Sequence, residues 1–187
     1  VNLMKVAVIM GGISSEREIS LKSGMAVYDG IDKNKYDVVK IVLDSKTDIF
    51  EKVTNDIDFA FLALHGKFGE DGCVQSILEA MDIPYSGCGP LTSALCMDKN
   101  MTKKILRDSN LPTAPWTVVK SVDDINYDEI DEIGYPVFIK PNSGGSSVAT
   151  FLIISKDEVL NAVQKGLEVV DCVMIEKYIP GGEYTSF

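Results

Sequence analysis

The chain has 187 residues, of which 45% are hydrophobic, and this is enough to form one large core or two small ones. Its formal net charge is -10 and its 18 lysine and arginine residues form no block, so nucleic acid and anionic membranes are not expected as partners. No apolar run approaches the roughly 20 residues of a membrane-spanning helix, and the run at residues 6–10 is too short for a signal peptide. We therefore expect a cytoplasmic protein.

The cysteine and histidine content limits the metal sites that the chain can build. None of the four cysteines belongs to a C-x-x-C pair, so reduced thiols are expected. His65 is the single histidine of the sequence, and a zinc site is therefore not expected. Any bound metal should be a hard ion such as Mg2+, held by carboxylates and phosphate oxygens.

The N-terminal part of the sequence alternates strand and helix patterns. Residues 5–10 are rich in β-branched residues and predict a strand that ends in a glycine turn. Ser15 and Glu18 have capping-box spacing, which predicts a helix that ends near residue 30. Two more strands are predicted at residues 36–43 and 58–64, the second nearly all apolar. Together these elements predict a small parallel α/β domain with ligand groups beyond the carboxyl ends of its strands.

Polar residues follow two of these strands at places where core packing does not require them. Glu16 comes after the Gly11-Gly12 turn, and His65 opens a loop that leads into a helix predicted at residues 73–81. Either residue could contact a ligand. The alternatives are that Glu16 is a first-turn carboxylate that favours the helix dipole, and that His65 is a hydrogen-bonded loop histidine.

A turn-rich junction at residues 83–90 is the predicted domain boundary, and it gives domains of residues 1–90 and 91–187. A helical pattern follows at residues 91–108 and carries Lys99, Lys103 and Lys104. One of these lysines could face a nucleotide, but a solvated basic face is the alternative. Residues 116–120 then begin a second domain that contains β-strands.

The most informative stretch of the sequence is an apolar run that ends on Lys140, then a loop of small residues, then a β-rich run at residues 148–154. This pattern predicts a strand, a phosphate-binding loop and a second strand. The hydroxyls of Ser146 and Ser147 can donate to phosphate oxygens, and Lys140 supplies a positive charge. The loop is not a Walker A loop, because the lysine precedes the glycines and no helix signal follows. A glycine/serine hairpin loop without function is the alternative.

Two adjacent charged residues, Glu176 and Lys177, lie in an apolar run at residues 173–179. Neighbouring side chains of a strand point to opposite faces, so both cannot enter one pocket, although their backbone groups can contact an adenine edge. The alternative is an edge strand whose charges form salt bridges. Before this run, Ser155 and Glu158 have capping-box spacing and predict another helix.

Seven motifs occur in the order seen in bacterial D-alanine:D-alanine ligases, and the chain resembles this family along its whole length. The family belongs to the ATP-grasp superfamily, in which the nucleotide lies between two α+β domains. The resemblance implies a Rossmann-like, pre-ATP-grasp α/β domain that binds substrate, followed by the first α+β ATP-grasp subdomain. The motifs are GGISSEREIS at residues 11–20, LHG at 64–66, GEDG at 69–72, MDK at 97–99, IKP at 139–141, GSSV at 145–148 and IEK at 175–177.

The resemblance also implies a reaction and its cofactors. In the family, ATP phosphorylates the carboxylate of one D-alanine, and the amine of a second D-alanine attacks the acyl phosphate. The products are D-alanyl-D-alanine for peptidoglycan precursor synthesis, ADP and phosphate. The reaction needs Mg2+ or Mn2+, and the family suggests a homodimer whose other partners are the small-molecule substrates.

The functional residues of the family can be assigned to the matching positions of this chain. Glu16 matches the carboxylate that engages the ammonium group of the first D-alanine, and Ser146 matches its hydrogen-bonded partner. His65 matches a histidine near the carboxylate of that substrate, and Ser147 would donate to the transferred phosphate. The implied ATP contacts are Lys99, Lys140 and Ser147 at the phosphates, Glu176, Lys177 and Ile179 at the adenine, and Glu183 at the ribose.

Two departures from the family pattern bear on activity. Ala149 stands where the family usually has glycine, which is tolerable at a negative φ and costly at a positive one. The second half of the ATP-grasp fold, which carries the metal ligands in the family, does not follow within these 187 residues. We therefore expect no metal site in this chain, and we expect that these residues alone bind nucleotide weakly or not at all and do not catalyse.

Two other functions stay open at this point. A sibling ligase that joins D-alanine to D-lactate or D-serine would keep the same motifs in this part of the chain. A nucleotide-binding module without catalysis is the second alternative. Glu16, His65 and Ser146 argue against that module, because a nucleotide sensor has no need for an amino-acid site.

Overall fold

A buried strand, β1 (Met4–Gly11), forms the centre of the N-terminal sheet. It pairs in parallel with β2 (Tyr36–Leu43) on one side and with β3 (Phe59–Leu62) on the other. Its alternate side chains, such as Ile9 and Met10, enter two different hydrophobic cores. Because both faces of β1 are covered, the run is almost entirely apolar. The predicted parallel α/β arrangement is confirmed.

The computed structural model describes residues 3–144, 149–182 and 184, and its contacts divide the chain into two compact units, 1–97 and 98–187. In the first unit one helix packs on one face of the sheet and two pack on the other. The fourth helix packs against one of these two. Within the described residues, no helix has the length and apolar character that a bilayer span requires. The helices of the first unit are α1 (Arg17–Gly30), α2 (Asp48–Lys52), α3 (Cys73–Ala80) and α4 (Pro90–Met97). The domain boundary predicted at residue 90 precedes the division by one helix and stays a prediction.

Helix α1 begins without the capping box that the sequence predicted at Ser15 and Glu18. Glu16 precedes the helix, and its side chain makes no capping hydrogen bond. The hydroxyl at this turn is that of Ser14, which accepts a hydrogen bond from Glu16 N–H at 3.1 Å and donates to the carbonyl oxygen of His65 at 2.7 Å. The prediction was wrong because a contact with a distant loop, which local spacing does not encode, decides which hydroxyl lies at the helix start.

The second unit is an antiparallel sheet with helices packed against it. Its helices are α5 (Lys99–Asp108), α6 (Tyr127–Ile133) and α7 (Val159–Leu167), and its strands are β4 (Trp116–Val119), β5 (Val137–Pro141), β6 (Phe151–Ile153) and β7 (Val173–Lys177). The strand order is β4-β7-β5-β6. Apolar side chains of all four strands share one core with α6 and α7. The antiparallel sheet with helices is the α+β arrangement that the family resemblance implied for this part.

Two predictions for this unit are wrong. The helix predicted at residues 91–108 is interrupted at Asp98, whose carboxylate accepts a hydrogen bond from Met101 N–H at 2.9 Å and thereby caps α5. Strand β7 lies between β4 and β5, so the edge position predicted in that alternative is wrong, although Glu176 does form salt bridges with Lys103 and Lys140. Strand order depends on pairing between distant segments, which a local pattern cannot report.

The second predicted capping box is also absent. Ser155 makes no side-chain capping hydrogen bond, and the Glu158 carboxylate accepts instead from Ile154 N–H at 3.3 Å. A short 3-10 turn, which includes Glu158, lies between Ser155 and α7, so the spacing lies outside the helix itself. The strand predicted at residues 148–154 is described only from Phe151 to Ile153, and Val148 lies outside the described residues.

Ser20 links the carboxyl ends of β1 and β3 through a fully buried hydroxyl. It accepts a hydrogen bond from Gly11 N–H at 2.9 Å and donates one to Ala63 O at 2.6 Å. Alanine at this position would leave both backbone groups without this partner, and each unsatisfied buried group costs roughly 1–3 kcal/mol.

We therefore expect Ser20→Ala to lower the free energy of unfolding by about 2 kcal/mol, measured by urea denaturation. The matched control is Ser76→Ala, because Ser76 is exposed and its hydroxyl donates at 2.8 Å to the carbonyl of Gly72, the residue that directly precedes its helix. That control should cost less than about 0.5 kcal/mol. Equal losses in the two variants would contradict the linking role of Ser20.

The backbone of Ala149 has a φ of +58°, in the left-handed region. In this conformation a residue with a Cβ costs the folded state roughly 1–2 kcal/mol. Glycine avoids that cost, but it raises the entropy of the unfolded chain and thereby lowers the free energy of unfolding by about 0.4–1 kcal/mol. We therefore expect Ala149→Gly to raise the free energy of unfolding by up to about 1 kcal/mol, and Ala149→Val to lower it. Urea unfolding of both variants is the measurement, and a valine variant as stable as the glycine variant would refute the expected strain.

Candidate functional site

The loop after β1 is shaped by two glycines and anchored by one arginine. Gly11 and Gly12 have φ values of +89° and +86°, and a Cβ on Gly11 would lie 2.8 Å from Leu43 O. Arg17 donates to Gly12 O at 3.1 Å, to Leu43 O at 2.6 Å and to the Asp44 carboxylate at 2.5 Å. These bonds hold the start of α1 against the ends of β1 and β2, and thereby set the position of Glu16.

Glu16 and His65, which the sequence placed on separate loops, come together in the first unit. A Cβ on Gly66 would lie 2.9 Å from Glu16 Oε2, so the carboxylate lies directly beside the loop that carries His65. His65 Nε2 is 3.0 Å from Ser23 Oγ, and its Nδ1 is 3.8 Å from a carboxylate oxygen of Glu70. We call Glu16, Ser23, His65, Gly66 and Glu70 the carboxylate–histidine cluster.

The carboxylate–histidine cluster combines anionic groups with an imidazole that is part exposed. The His65 side chain is 32% exposed, so a ligand can reach it. Carboxylates suit an ammonium group, and an imidazole can donate to a carboxylate. The arrangement can therefore hold a small molecule that carries both groups, such as a free amino acid.

The second unit gathers charged residues on one face of its sheet. Glu176 is opposite Phe138 in the pairing of β7 with β5, and Lys140 lies two residues further along β5. Cross-strand partners and residues two apart share a face, so Lys140 and Glu176 point to the same side. Lys177 points to the other side, where its Nζ donates to Gly134 O at 2.9 Å. The predicted opposite orientation of Glu176 and Lys177 is confirmed.

The Glu176 carboxylate is bonded by two lysines. Lys103 donates to its Oε1 and Lys140 donates to its Oε2. Burial alone would raise the pKa of Glu176, but the hydrogen bonds and charges of the two lysines outweigh it, and the net pKa is lowered. We call Lys99, Lys103, Lys140 and Glu176 the lysine–glutamate cluster.

Lys99 reaches the same cluster from the start of α5. Its Nζ donates to Gly144 O at 2.8 Å, and burial, followed by the charge of Lys140, lowers its pKa. The buried Asn142 fixes this geometry, because its side-chain oxygen accepts from Asn100 N–H at 2.9 Å and its carbonyl accepts from Lys99 N–H at 3.0 Å. Asn142 thus ties the loop after β5 to the first turn of α5, and so brings Lys99 and Lys140 to one place.

The solvated-face alternative for the basic residues of α5 is wrong for Lys103, which is buried, and it does not describe the half-buried Lys99. Lys104 is exposed, as that alternative requires. The sequence carried a signal that separates them: Lys99 and Lys103 are four residues apart and share a helix face, whereas Lys104 does not. The role of Asn142 had no such signal, because its partner lies 42 residues away.

Three residues of the expected ATP and substrate contacts, Ser146, Ser147 and Glu183, lie outside the described residues. Ile179 follows β7 and is 64% exposed. The amide of Lys177 donates to Pro115 O at 2.9 Å, so that N–H is not free for an adenine edge. Across the described ranges, no three His, Cys, Asp or Glu side chains gather as a metal site, and the cysteines carry free thiols.

Two family models match the chain. One describes the D-ala D-ala ligase N-terminus and matches residues 5–54 and 45–88, and the other describes the D-ala D-ala ligase C-terminus and matches residues 105–186. The chain belongs to the D-alanine–D-alanine ligase family. The resemblance seen in the motifs is thereby confirmed, and it extends through both units.

Relatives with curated names and solved structures agree with this assignment. The chain is 59% identical over 182 residues to D-alanine–D-alanine ligase B of Clostridium perfringens (strain 13 / Type A), a match that covers 97% of this chain and 60% of the relative. The ligase-family chain therefore spans about 60% of the length of that relative.

Two solved ligases show the same fold. The D-alanine–D-alanine ligase of Bacillus anthracis complexed with ATP matches with a TM-score of 0.89 and 47% identity, over 97% of this chain and 58% of that one. The VanG D-Ala:D-Ser ligase of Enterococcus faecalis matches with a TM-score of 0.82 and 31% identity, over 96% of this chain and 64% of that one. The predicted fold class, an N-terminal α/β domain followed by the first ATP-grasp subdomain, is confirmed.

The lowered pKa of Glu176 makes the stability of the chain depend on pH. A carboxyl whose pKa is lower in the folded state stabilises the fold above its ordinary pKa of 4.5, and that contribution is lost as pH falls through the folded value. We therefore expect Glu176→Gln to be less stable than wild type at pH 7, with a difference that shrinks below pH ~4.5.

The measurement is the free energy of unfolding from pH 3 to pH 8. Glu132→Gln, the same change at an exposed helix position, is the control and should show a small difference at every pH. A Glu176→Gln deficit that stays constant through the acid range would contradict the proposed ionic origin.

Proposed function

We propose that the whole protein is an ATP-dependent ligase that joins two D-alanines to give D-alanyl-D-alanine, ADP and phosphate. The observation that carries the proposal is the convergence of Lys99 and Lys140, held together by Asn142, in a unit that matches a ligase solved with ATP. The names of relatives about 60% identical support the same substrate. The dipeptide would serve peptidoglycan precursor synthesis, as the family resemblance implies.

The residues of the lysine–glutamate cluster fit a nucleotide triphosphate. Lys99 and Lys140 supply two positive charges for phosphate oxygens, and Gly144 brings the loop backbone close to them. As the γ-phosphoryl group moves to the carboxylate of the first D-alanine, charge spreads over its oxygens, and these lysines stabilise it. Ser147 would donate to the transferred phosphate. Mg2+ or Mn2+, when bound, would neutralise phosphate charge, and we expect its ligands outside this chain.

The adenine and ribose contacts are assigned to the end of β7 and the segment after it. Glu176 presents a fixed carboxylate, and the exposed Ile179 offers apolar surface for a ring. Lys177 would contribute through its backbone carbonyl, because its amide is bonded to Pro115 O and its ammonium group to the carbonyl groups of residues 134 and 135. Glu183 would bind the ribose hydroxyls.

The carboxylate–histidine cluster is the proposed site of the first D-alanine. Glu16 would bind its ammonium group, and His65 would lie near its carboxylate, with Ser146 as the partner that orients Glu16. The neutral amine of the second D-alanine then attacks the acyl carbon, the amide C–N bond forms, and the C–O bond to the phosphate breaks. Phosphate leaves, and the amine nitrogen releases one proton to it or to solvent. An amino-acid site of this kind favours a ligase over a nucleotide-binding module. A cytoplasmic homodimer is part of the same proposal.

The experiment is to measure ADP release by the full-length gene product with ATP and Mg2+. We expect release only when D-alanine is present, and a loss of at least about 100-fold in Lys140→Ala, because phosphate charge would lose a preorganised cation. Lys165→Ala, a change at an exposed lysine of α7, is the matched control and should keep full activity.

Each alternative gives a different result in this assay. ADP release that requires D-lactate or D-serine together with D-alanine would identify a sibling ligase instead. The structural likeness to a D-Ala:D-Ser ligase makes this outcome worth testing. ATP binding without any release that depends on D-alanine would leave a nucleotide-binding module.

A further inference from the structure

Lys103 lies on α5, one turn after Lys99, and only 7% of its surface is exposed. A buried ammonium group is costly unless it is paired. Its Nζ donates to Thr113 Oγ1 at 2.7 Å and to Glu176, and it lies 5.0 Å from the centre of the Trp116 ring. The family resemblance assigned no role to this lysine, so its burial inside the proposed nucleotide site needs a separate explanation.

The enclosure around Lys103 is itself braced. Trp116 Nε1 donates to Asn100 Oδ1 at 2.9 Å, and the guanidinium carbon of Arg107 lies 5.5 Å from the centre of the same ring. Lys103 and Arg107 are four residues apart on α5, so both cations contact one aromatic ring from one helix face. Lys103 therefore has little freedom to change its partners.

Glu176 thus lies between two cations that differ in exposure. The Lys103 side chain is 9% exposed and the Lys140 side chain is 26% exposed. Lys140 is near the end of β5, where the small-residue loop begins, and it can turn toward a ligand. Lys103 is enclosed by Thr113 and Trp116 and cannot.

We propose that Lys103 is a positioning residue of the nucleotide site, which keeps the Glu176 carboxylate charged and in place when Lys140 turns from Glu176 to the nucleotide. The inference rests on the proposed function, because that function assigns Lys140 to the nucleotide. Without Lys103, the departure of Lys140 would leave a half-buried carboxylate without either lysine. Leaving such a charge unpaired is strongly unfavourable, so nucleotide binding would weaken.

This role predicts a coupling that a packing role does not. If Lys103 acts through the charge of Glu176, its removal matters only while residue 176 is a carboxylate. In a Glu176→Gln background the amide carries no charge, so Lys140 can leave it without the same penalty, and loss of Lys103 has little further effect. A packing role would weaken binding by the same factor in both backgrounds.

The test measures ATP affinity by titration calorimetry on the full-length gene product with Mg2+ present. We expect Lys103→Met to weaken ATP binding by about tenfold or more in the wild-type background. The same substitution should change affinity by less than about twofold in the Glu176→Gln background. Lys104→Met, the same substitution at the next and exposed lysine, is the matched control and should stay within about twofold of wild type.

Thr113→Val is a second variant that removes one hydrogen bond from Lys103 but no charge. We expect it to weaken ATP binding by about threefold, and only while Glu176 is present, so the inference stays testable if Lys103→Met does not fold. Far-UV circular dichroism shows which variants are folded. A wild type that binds no ATP would reject the proposed function, whereas equal losses in both backgrounds, or none, would overturn this inference alone.

Discussion

The second unit depends on one half-buried carboxylate, that of Glu176. It accepts hydrogen bonds from Lys103 on α5 and from Lys140 on β5, so a single charge on β7 holds a helix and two strands together. Burial by itself would favour the neutral carboxyl, but the two lysines outweigh it. Positive charge is thereby concentrated on one face of the sheet before any anion arrives, as the proposed phosphoryl transfer would require.

In the first unit, side-chain hydrogen bonds hold the loops at the carboxyl ends of the parallel strands. At these ends Ser20 bonds the Gly11 N–H and the Ala63 carbonyl, and Arg17 adds a second hydrogen bond to the Leu43 carbonyl, which also accepts from Gly12 N–H. Glu16 directly precedes Arg17 and so takes a defined position beside the loop of His65. Hydrogen bonds to Ser20 and Arg17 hold these loops, in addition to the burial of Gly11, Gly12 and Gly66.

Patterns that depend on near neighbours were predictable. Strand β2 was found at its observed bounds, because alternating and apolar runs report burial directly. Both capping boxes were wrong, since the hydroxyl of Ser14 is engaged by a residue 51 positions away and Ser155 precedes a 3-10 turn. The cost of Ala149 was a conditional expectation, and only the backbone angle decided its sign.

The sequence by itself determined the family, the parallel α/β half and the α+β half of the fold, and the residue types that the site would use. These follow from periodicity and from motifs whose order along the chain is specific. Only the tertiary structure decided that β7 is an inner strand, that Asn142 brings Lys99 and Lys140 together, and that Lys103 is buried against Glu176. The physical reason is that hydrogen bonds and ion pairs act over a few ångströms in space, and the chain brings their partners together from positions tens of residues apart.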